Sequence, residues 1–107
     1  MLLFKKKFLP AIRTGEKTQT IRLWRWRMMK VGQRSYIPGI GYIRIDAVDE
    51  VRLEKLTDED AIPDGFATAD ALREELATLY GEKIAAGYLS FRVVFRVLED
   101  AEAEKGS

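Results

Sequence analysis

The chain has 107 residues, 47% of them hydrophobic, with eighteen Lys and Arg against seventeen Asp and Glu and neither cysteine nor histidine. That length and apolar share suffice for one small core. The two missing residue types exclude a disulfide framework, a thiolate nucleophile, a Cys/His zinc site and any His-based dyad or triad. Acid–base work near neutral pH therefore falls to Lys, Asp, Glu, Tyr or Arg, while an oxygen-ligand magnesium site stays open.

In chain order, residues 2–4 form a short apolar run that predicts a first strand. The lysines of the start follow its apolar residues and Pro10 comes soon after, which does not read as a signal peptide. Phe8, Leu9, Ala11 and Ile12 have helical spacing around Pro10, and Gly15 is positioned to end that helix. Residues 18–23 read as a strand through Thr18, Thr20 and Ile21, with Thr18, Thr20 and Arg22 on one face and Gln19, Ile21 and Leu23 on the other. After an arginine-aromatic stretch at 24–29 and a turn at 30–33, strands are expected at 34–37 and 42–53. A break of alternation at Ala47-Val48 in the second marks a bulge.

Thr57 is placed to cap a short helix with an acidic first turn, stopping near Ile62-Pro63. Thr68 caps a longer one, with Leu72, Leu76, Leu79 and Tyr80 as its stripe and Gly81 as its end. A last strand covers 88–98, and 99–107 reads as a disordered acidic tail. These elements predict a single domain over 1–98. The fold class is α+β, a small mixed, mainly antiparallel pseudo-β-barrel of about five strands with two to three flanking helices. No stretch of roughly 18 apolar residues is available to span a membrane. The absence of cysteine and of targeting signals fits a cytoplasmic protein.

The net charge of +1 hides an asymmetry: residues 1–34 carry +9 and residues 35–107 carry −8. A basic third points to an anionic partner such as RNA, a nucleotide or phosphate, unless opposite charges interleave on folding.

The segment Gly15-Glu16-Lys17-Thr18-Gln19-Thr20-Ile21-Arg22 is flanked by Ala11-Ile12 and Lys30-Val31-Gly32. With Leu56-Thr57-Asp58-Glu59-Asp60-Ala61, Asp64-Gly65-Phe66 and Leu79-Tyr80-Gly81, it resembles the signature of the ASCH domain, a PUA-like family. The resemblance spans about residues 2–97. It implies a small pseudo-barrel, and the superfamily is associated with RNA binding. One branch it resembles contains small bacterial amidohydrolases that remove the acetyl group from N4-acetylcytidine and related N4-acylated cytosines. By motif position, that resemblance places the catalytic set on Lys17, Thr20 and Asp64, with Asp64 standing one methylene shorter than the Glu of that branch. No metal and no cofactor are implied.

The chemistry is coherent on its own terms. Thr20 offers a hydroxyl that needs a base beside it, and without histidine Lys17 is a base if burial and neighbouring Arg22 lower its pKa. Asp64 is then a coupled acid–base partner. Lys17 and Thr20, three residues apart, converge only if Lys17 lies in the turn before the strand. Arg22, on the face of Thr20, is a fixed-charge donor to a carbonyl or oxyanion. Trp24, Trp26, Tyr42 and Phe66 are candidate substrate-stacking aromatics, Tyr36 a further one, with core packing as the alternative for each. Asp58, Glu59 and Asp60 read as helix N-terminal charge rather than a metal cluster. Three functions follow: an N4-acetylcytidine amidohydrolase taking a nucleoside or nucleobase, an RNA-binding module using the basic third, and a ribonuclease using the same cleft.

Overall fold

Four strands form one sheet in the order β1-β4-β3-β2: β1 (Gln19–Trp24), β2 (Arg34–Ile37), β3 (Gly41–Val51) and β4 (Leu89–Val97). Helices α1 (Leu9–Thr14), α2 (Asp58–Ala61) and α3 (Ala69–Ala85) flank it. This computed structural model describes residues 1–99, so the expected tail lies, Glu99 apart, outside the described residues. The sheet curls into a half-barrel, an α+β arrangement consistent with a PUA-like pseudo-barrel. Every pairing is antiparallel, in place of the mixed sheet expected. No helix among the described residues is long and apolar enough to cross a membrane.

Residues 2–4 are not a strand, which leaves four strands rather than five among the described residues. Leu2 is buried and donates its N–H to the Tyr36 carbonyl at 3.0 Å, but the chain then tightens into a 3-10 turn at Lys6–Phe8. One backbone bond anchors the segment without making a ladder. The bulge in β3 does occur: the register with β4 shifts between Ile45 and Ala47. Asp46 is the extra residue, and its insertion returns Val48 to the core face that Ile43 and Ile45 occupy.

Thr57 caps α2 through a capping box with Asp60, and the Thr68 hydroxyl accepts from the Ala71 N–H at 3.1 Å to cap α3. Gly81 does not end α3. The helix loses helical geometry at Tyr80 (φ −131°, ψ 19°), then resumes to Ala85. It closes instead at Gly87 (φ +81°), where the N–H groups of Gly87 and Tyr88 bond the carbonyls of Ile84 and Lys83, a Schellman turn.

Two cores form. Ile43, Ile45, Val48, Phe91, Val93 and Phe95 of the sheet pack with Leu2, Ile12 and Met29 on one side. On the other, Ile21 and Leu23 of β1 pack with Leu56, Ala61, Ala69, Leu72 and Leu76. β1 contributes to the second core and forms one edge of the sheet, so the boundary beside it is open to side chains from the N-terminal segment and α3.

Candidate active site

The turn between α1 and β1 delivers the first residue of the site. Gly15 ends α1 in the left-handed region (φ +83°), which a side chain would resist. Lys17 N–H then bonds the Ala11 carbonyl at 3.0 Å and Thr18 N–H the Pro63 carbonyl at 2.8 Å. Lys17 thus precedes β1, which meets the condition for convergence with Thr20. The other half comes from a 3-10 turn at Ile62–Asp64, reversed by Gly65 at φ +92°. That turn aims both acceptors of Asp64 at one amine: Lys17 Nζ lies 2.7 Å from Oδ1 and 2.5 Å from the Asp64 carbonyl oxygen. Both residues are only 3% exposed, so this is a buried ion pair and not a surface one. The shorter aspartate side chain reaches the lysine.

Gln19 completes the pair. Its Nε2 donates to Asp64 Oδ2 at 3.1 Å and to the Asp60 carbonyl at 3.0 Å, fixing the carboxylate from the second side. Lys17 Nζ sits 5.0, 5.8 and 5.9 Å from the ring centres of Phe8, Phe66 and Phe4. Desolvation by this apolar wall lowers the Lys17 pKa below its ordinary value; the charge and hydrogen bond of Asp64 oppose the shift, and the Arg22 charge adds to it.

Arg22 lies on the Thr20 face as the strand alternation requires. Its Nε donates to Thr20 Oγ1 at 3.1 Å, Nη2 donates to the Leu3 carbonyl at 2.8 Å, and the guanidinium lies 4.7 Å over Phe4. Burial lowers the Arg22 pKa, opposed by the charge and hydrogen bond of Tyr80. The partner of Thr20 Oγ1 is therefore Arg22, and no hydrogen bond joins Thr20 to Lys17 among the described residues.

Lys17, Thr20, Arg22, Asp64 and Phe66 line one cleft of about 100 Å³ at the edge of β1, walled by Phe4, Phe8 and the α3 residues Leu72, Leu76, Leu79 and Tyr80. A cavity of roughly 150 Å³ holds a benzene, so this interior is too small for a whole nucleoside. The other four candidate aromatics lie elsewhere. Strand β1 ends at Trp24, so the two tryptophans do not share a strand face. Trp24 packs on the sheet core with its ring 5.4 Å from that of Phe91, and Trp26 is 65% exposed past the strand end. Tyr42 is exposed on β3, edge-on to Tyr36 at 5.3 Å.

Sequence reasoning did not single out Gln19, Tyr80, Glu75, Phe4 or Phe8. Gln19 carried a signal, because an amide alternating with Ile21 and Leu23 on an apolar face needs buried partners. Glu75, almost buried on α3, pairs with Lys7 at the cleft rim. Two of the acidic trio of α2 serve local structure: Asp58 Oδ1 accepts the Ala69 N–H at 2.8 Å, Asp60 closes the capping box, and Asp60 Oδ1 meets Arg92 at 3.0 Å.

No protein-family model matches the sequence, and no curated protein matches it. Solved structures do. The hypothetical protein PH0355 superposes with a TM-score of 0.75 at 16% identity, over 90% of this chain and 95% of that one. EF3133 from Enterococcus faecalis V583, described as DUF984, gives 0.67 at 20% identity over 86% and 70%. The ASCH domain from Lactobacillus crispatus JV V101 gives 0.62 at 19% identity over 82% and 68%. The fold is ASCH-like. At such identities the likeness concerns the ASCH-like backbone, and the chemistry rests on the side chains gathered in the cleft.

Proposed function

We propose that the protein is an amidohydrolase that removes the acyl group from N4-acylated cytosines, N4-acetylcytidine foremost. One observation carries this reading: a buried Lys17–Asp64 pair shares an aromatic-walled cleft with Thr20 and Arg22. Neutral Lys17 takes the proton of the Thr20 hydroxyl as its oxygen attacks the acyl carbonyl carbon. Because Arg22 donates to Thr20 Oγ1 in the resting site, that oxygen keeps its own proton to give. The transfer to Lys17 needs a closer approach once substrate is bound, as catalytic contacts often do.

The carbonyl oxygen becomes an oxyanion within reach of the guanidinium. The C–N bond then breaks, N4 receives a proton from the Lys17–Asp64 pair, and cytidine departs. Water attacks the acyl-Thr20 ester and gives its proton to Lys17. Acetate leaves and Thr20 regains its hydrogen. A cytoplasmic setting, where nucleosides circulate, goes with this reading.

Chromatography of N4-acetylcytidine incubated with the protein tests it. Cytidine and acetate are expected from the wild type with or without EDTA. Lys17→Ala and the near-isosteric Thr20→Val are each expected to lose turnover by roughly 10²-fold or more, the scale of losing a general base or a nucleophile. Full activity in a folded Thr20→Val, or no release from any N4-acylcytosine by wild type, overturns the assignment.

A further inference from the structure

The apolar stripe of α3 is broken by one acid. Leu72, Leu76, Leu79 and Tyr80 line the cleft, and Glu75, three residues after Leu72 and four before Leu79, lies on the same face among them. Its side chain is only 11% exposed. A carboxylate so placed gives up hydration that a leucine would not miss. Lys7 answers it in part, its exposed Nζ donating to Glu75 Oε1 from the rim. Among the described residues Oε2 takes no hydrogen bond. Asp64, the other carboxylate lining the cleft, has both oxygens engaged, Oδ1 by Lys17 and Oδ2 by Gln19. Glu75 Oε2 is therefore the carboxylate oxygen left to a bound molecule. Lys17, whose pKa burial lowers and Asp64 chiefly holds up, also feels the Glu75 charge, which sets Glu75 near the reacting groups.

We propose that Glu75 is a substrate-binding residue that accepts the N–H of the scissile amide and so restricts the protein to secondary amides. The inference rests on the amidohydrolase reading and adds to it the hydrogen that the acylated nitrogen must carry. A trans amide points its carbonyl and its N–H in opposite directions. The cleft offers a matching pair from two elements: the Arg22 guanidinium of β1 for the oxygen and the Glu75 carboxylate of α3 for the N–H. Glu75 moves no proton. It holds the same N–H while the C–N bond breaks and the Lys17–Asp64 pair delivers the second hydrogen to N4. A site that meets a substrate N–H in this way rejects the analogue that lacks it, since the acceptor is then left unpaired.

Hydrolysis of N4-acetylcytidine and of N4-acetyl-N4-methylcytidine, whose acylated nitrogen has no hydrogen, tests it. Wild type is expected to favour the first by about a hundredfold or more in kcat/KM. Glu75→Leu, which continues the apolar stripe, should lose about tenfold or more on N4-acetylcytidine, the scale of one hydrogen bond to a charged group. Glu75→Gln keeps a carbonyl oxygen and should restore much of that loss. Lys7→Gln, which removes the ion pair and leaves the acceptor, should stay within about threefold of wild type. Three results overturn the inference and leave the amidohydrolase reading standing. They are equal turnover of both substrates by the wild type, full activity in Glu75→Leu, and a Lys7→Gln loss that matches the Glu75→Leu loss. The last would reduce Glu75 to an anchor for the N-terminal segment. No wild-type turnover of N4-acetylcytidine overturns both.

Discussion

Lys17 concentrates the physical tension of the molecule. It is buried beside three phenylalanine rings, and Asp64 only partly offsets the cost of its charge. Its pKa in the fold is below the ordinary 10.5, chiefly through desolvation. Between the folded value and 10.5 the unfolded chain binds more protons, so stability rises with pH across that window. Below the folded value the penalty is present in full. Urea midpoints followed up to that upper limit should therefore climb more steeply for wild type than for Lys17→Met; parallel curves would contradict the burial. Asp64→Asn removes the charge that holds the lysine pKa up. It should shift the acidic limb of kcat/KM to lower pH, lower its plateau, and cost about 3 kcal/mol by leaving a buried cation uncompensated. That Lys17, Thr20 and Asp64 would share one cleft was legible because the motif carries them. Trp26 and Tyr42 were not separable from true cleft residues, since an aromatic side chain in a sequence reads the same whether it lines a pocket, packs a core or faces water.

Short elements aim these residues, and their punctuation was the most readable part of the sequence. Thr57, Thr68, Gly15 and Pro63 act where their chemistry predicts. The failures share a cause in tertiary context. Residues 2–4 have strand composition but, among the described residues, only one backbone bond to a neighbour, and Gly81 sits in a helix that recovers after Tyr80 because a later glycine provides the left-handed stop. Gly65 links element to site. At φ +92° a Cβ would meet only Lys17 carbons at 3.8 Å, ordinary contact, so the obstacle to a side chain is the backbone itself. Gly65→Ala should cost about 1–2 kcal/mol and depress turnover by turning Asp64 away from the lysine. A loss of stability with unchanged kcat would separate the turn from the chemistry. Thr57→Ala should cost about 1 kcal/mol. Its effect should extend to the site, because Asp60, freed from the cap, also anchors Gln19 through its carbonyl. Thermal melts and turnover measured on both variants give the comparison.

At the scale of the whole molecule, the cleft exists because two cores lie on opposite faces of one curled sheet and meet imperfectly at the β1 edge. The α+β class and the half-barrel followed from the order of elements. The two-core division did not, since apolar residues on both faces of β1 and β4 carry no label for the side they serve. Size selection follows from this architecture. On the proposed reading, the interior of about 100 Å³ would admit an acyl group and the edge of a pyrimidine, leaving the sugar at the mouth. N4-acetylcytosine and N4-acetylcytidine should then be hydrolysed with kcat/KM values within about tenfold, because the part that differs makes few contacts inside, worth no more than about 1.4 kcal/mol. N4-benzoylcytidine should be slower, since its ring must displace the α3 wall. Leu79 lines that wall yet is 37% exposed, so its truncation opens the cleft without excavating the core. Leu79→Ala should raise kcat/KM for the benzoyl substrate relative to the acetyl one by about tenfold, the scale of one or two methylenes in an apolar pocket. Competition between the two substrates in one vessel reads this ratio directly. An unchanged ratio would place the acyl group against a different wall, and Phe8 or Leu76 would be the next residue to truncate.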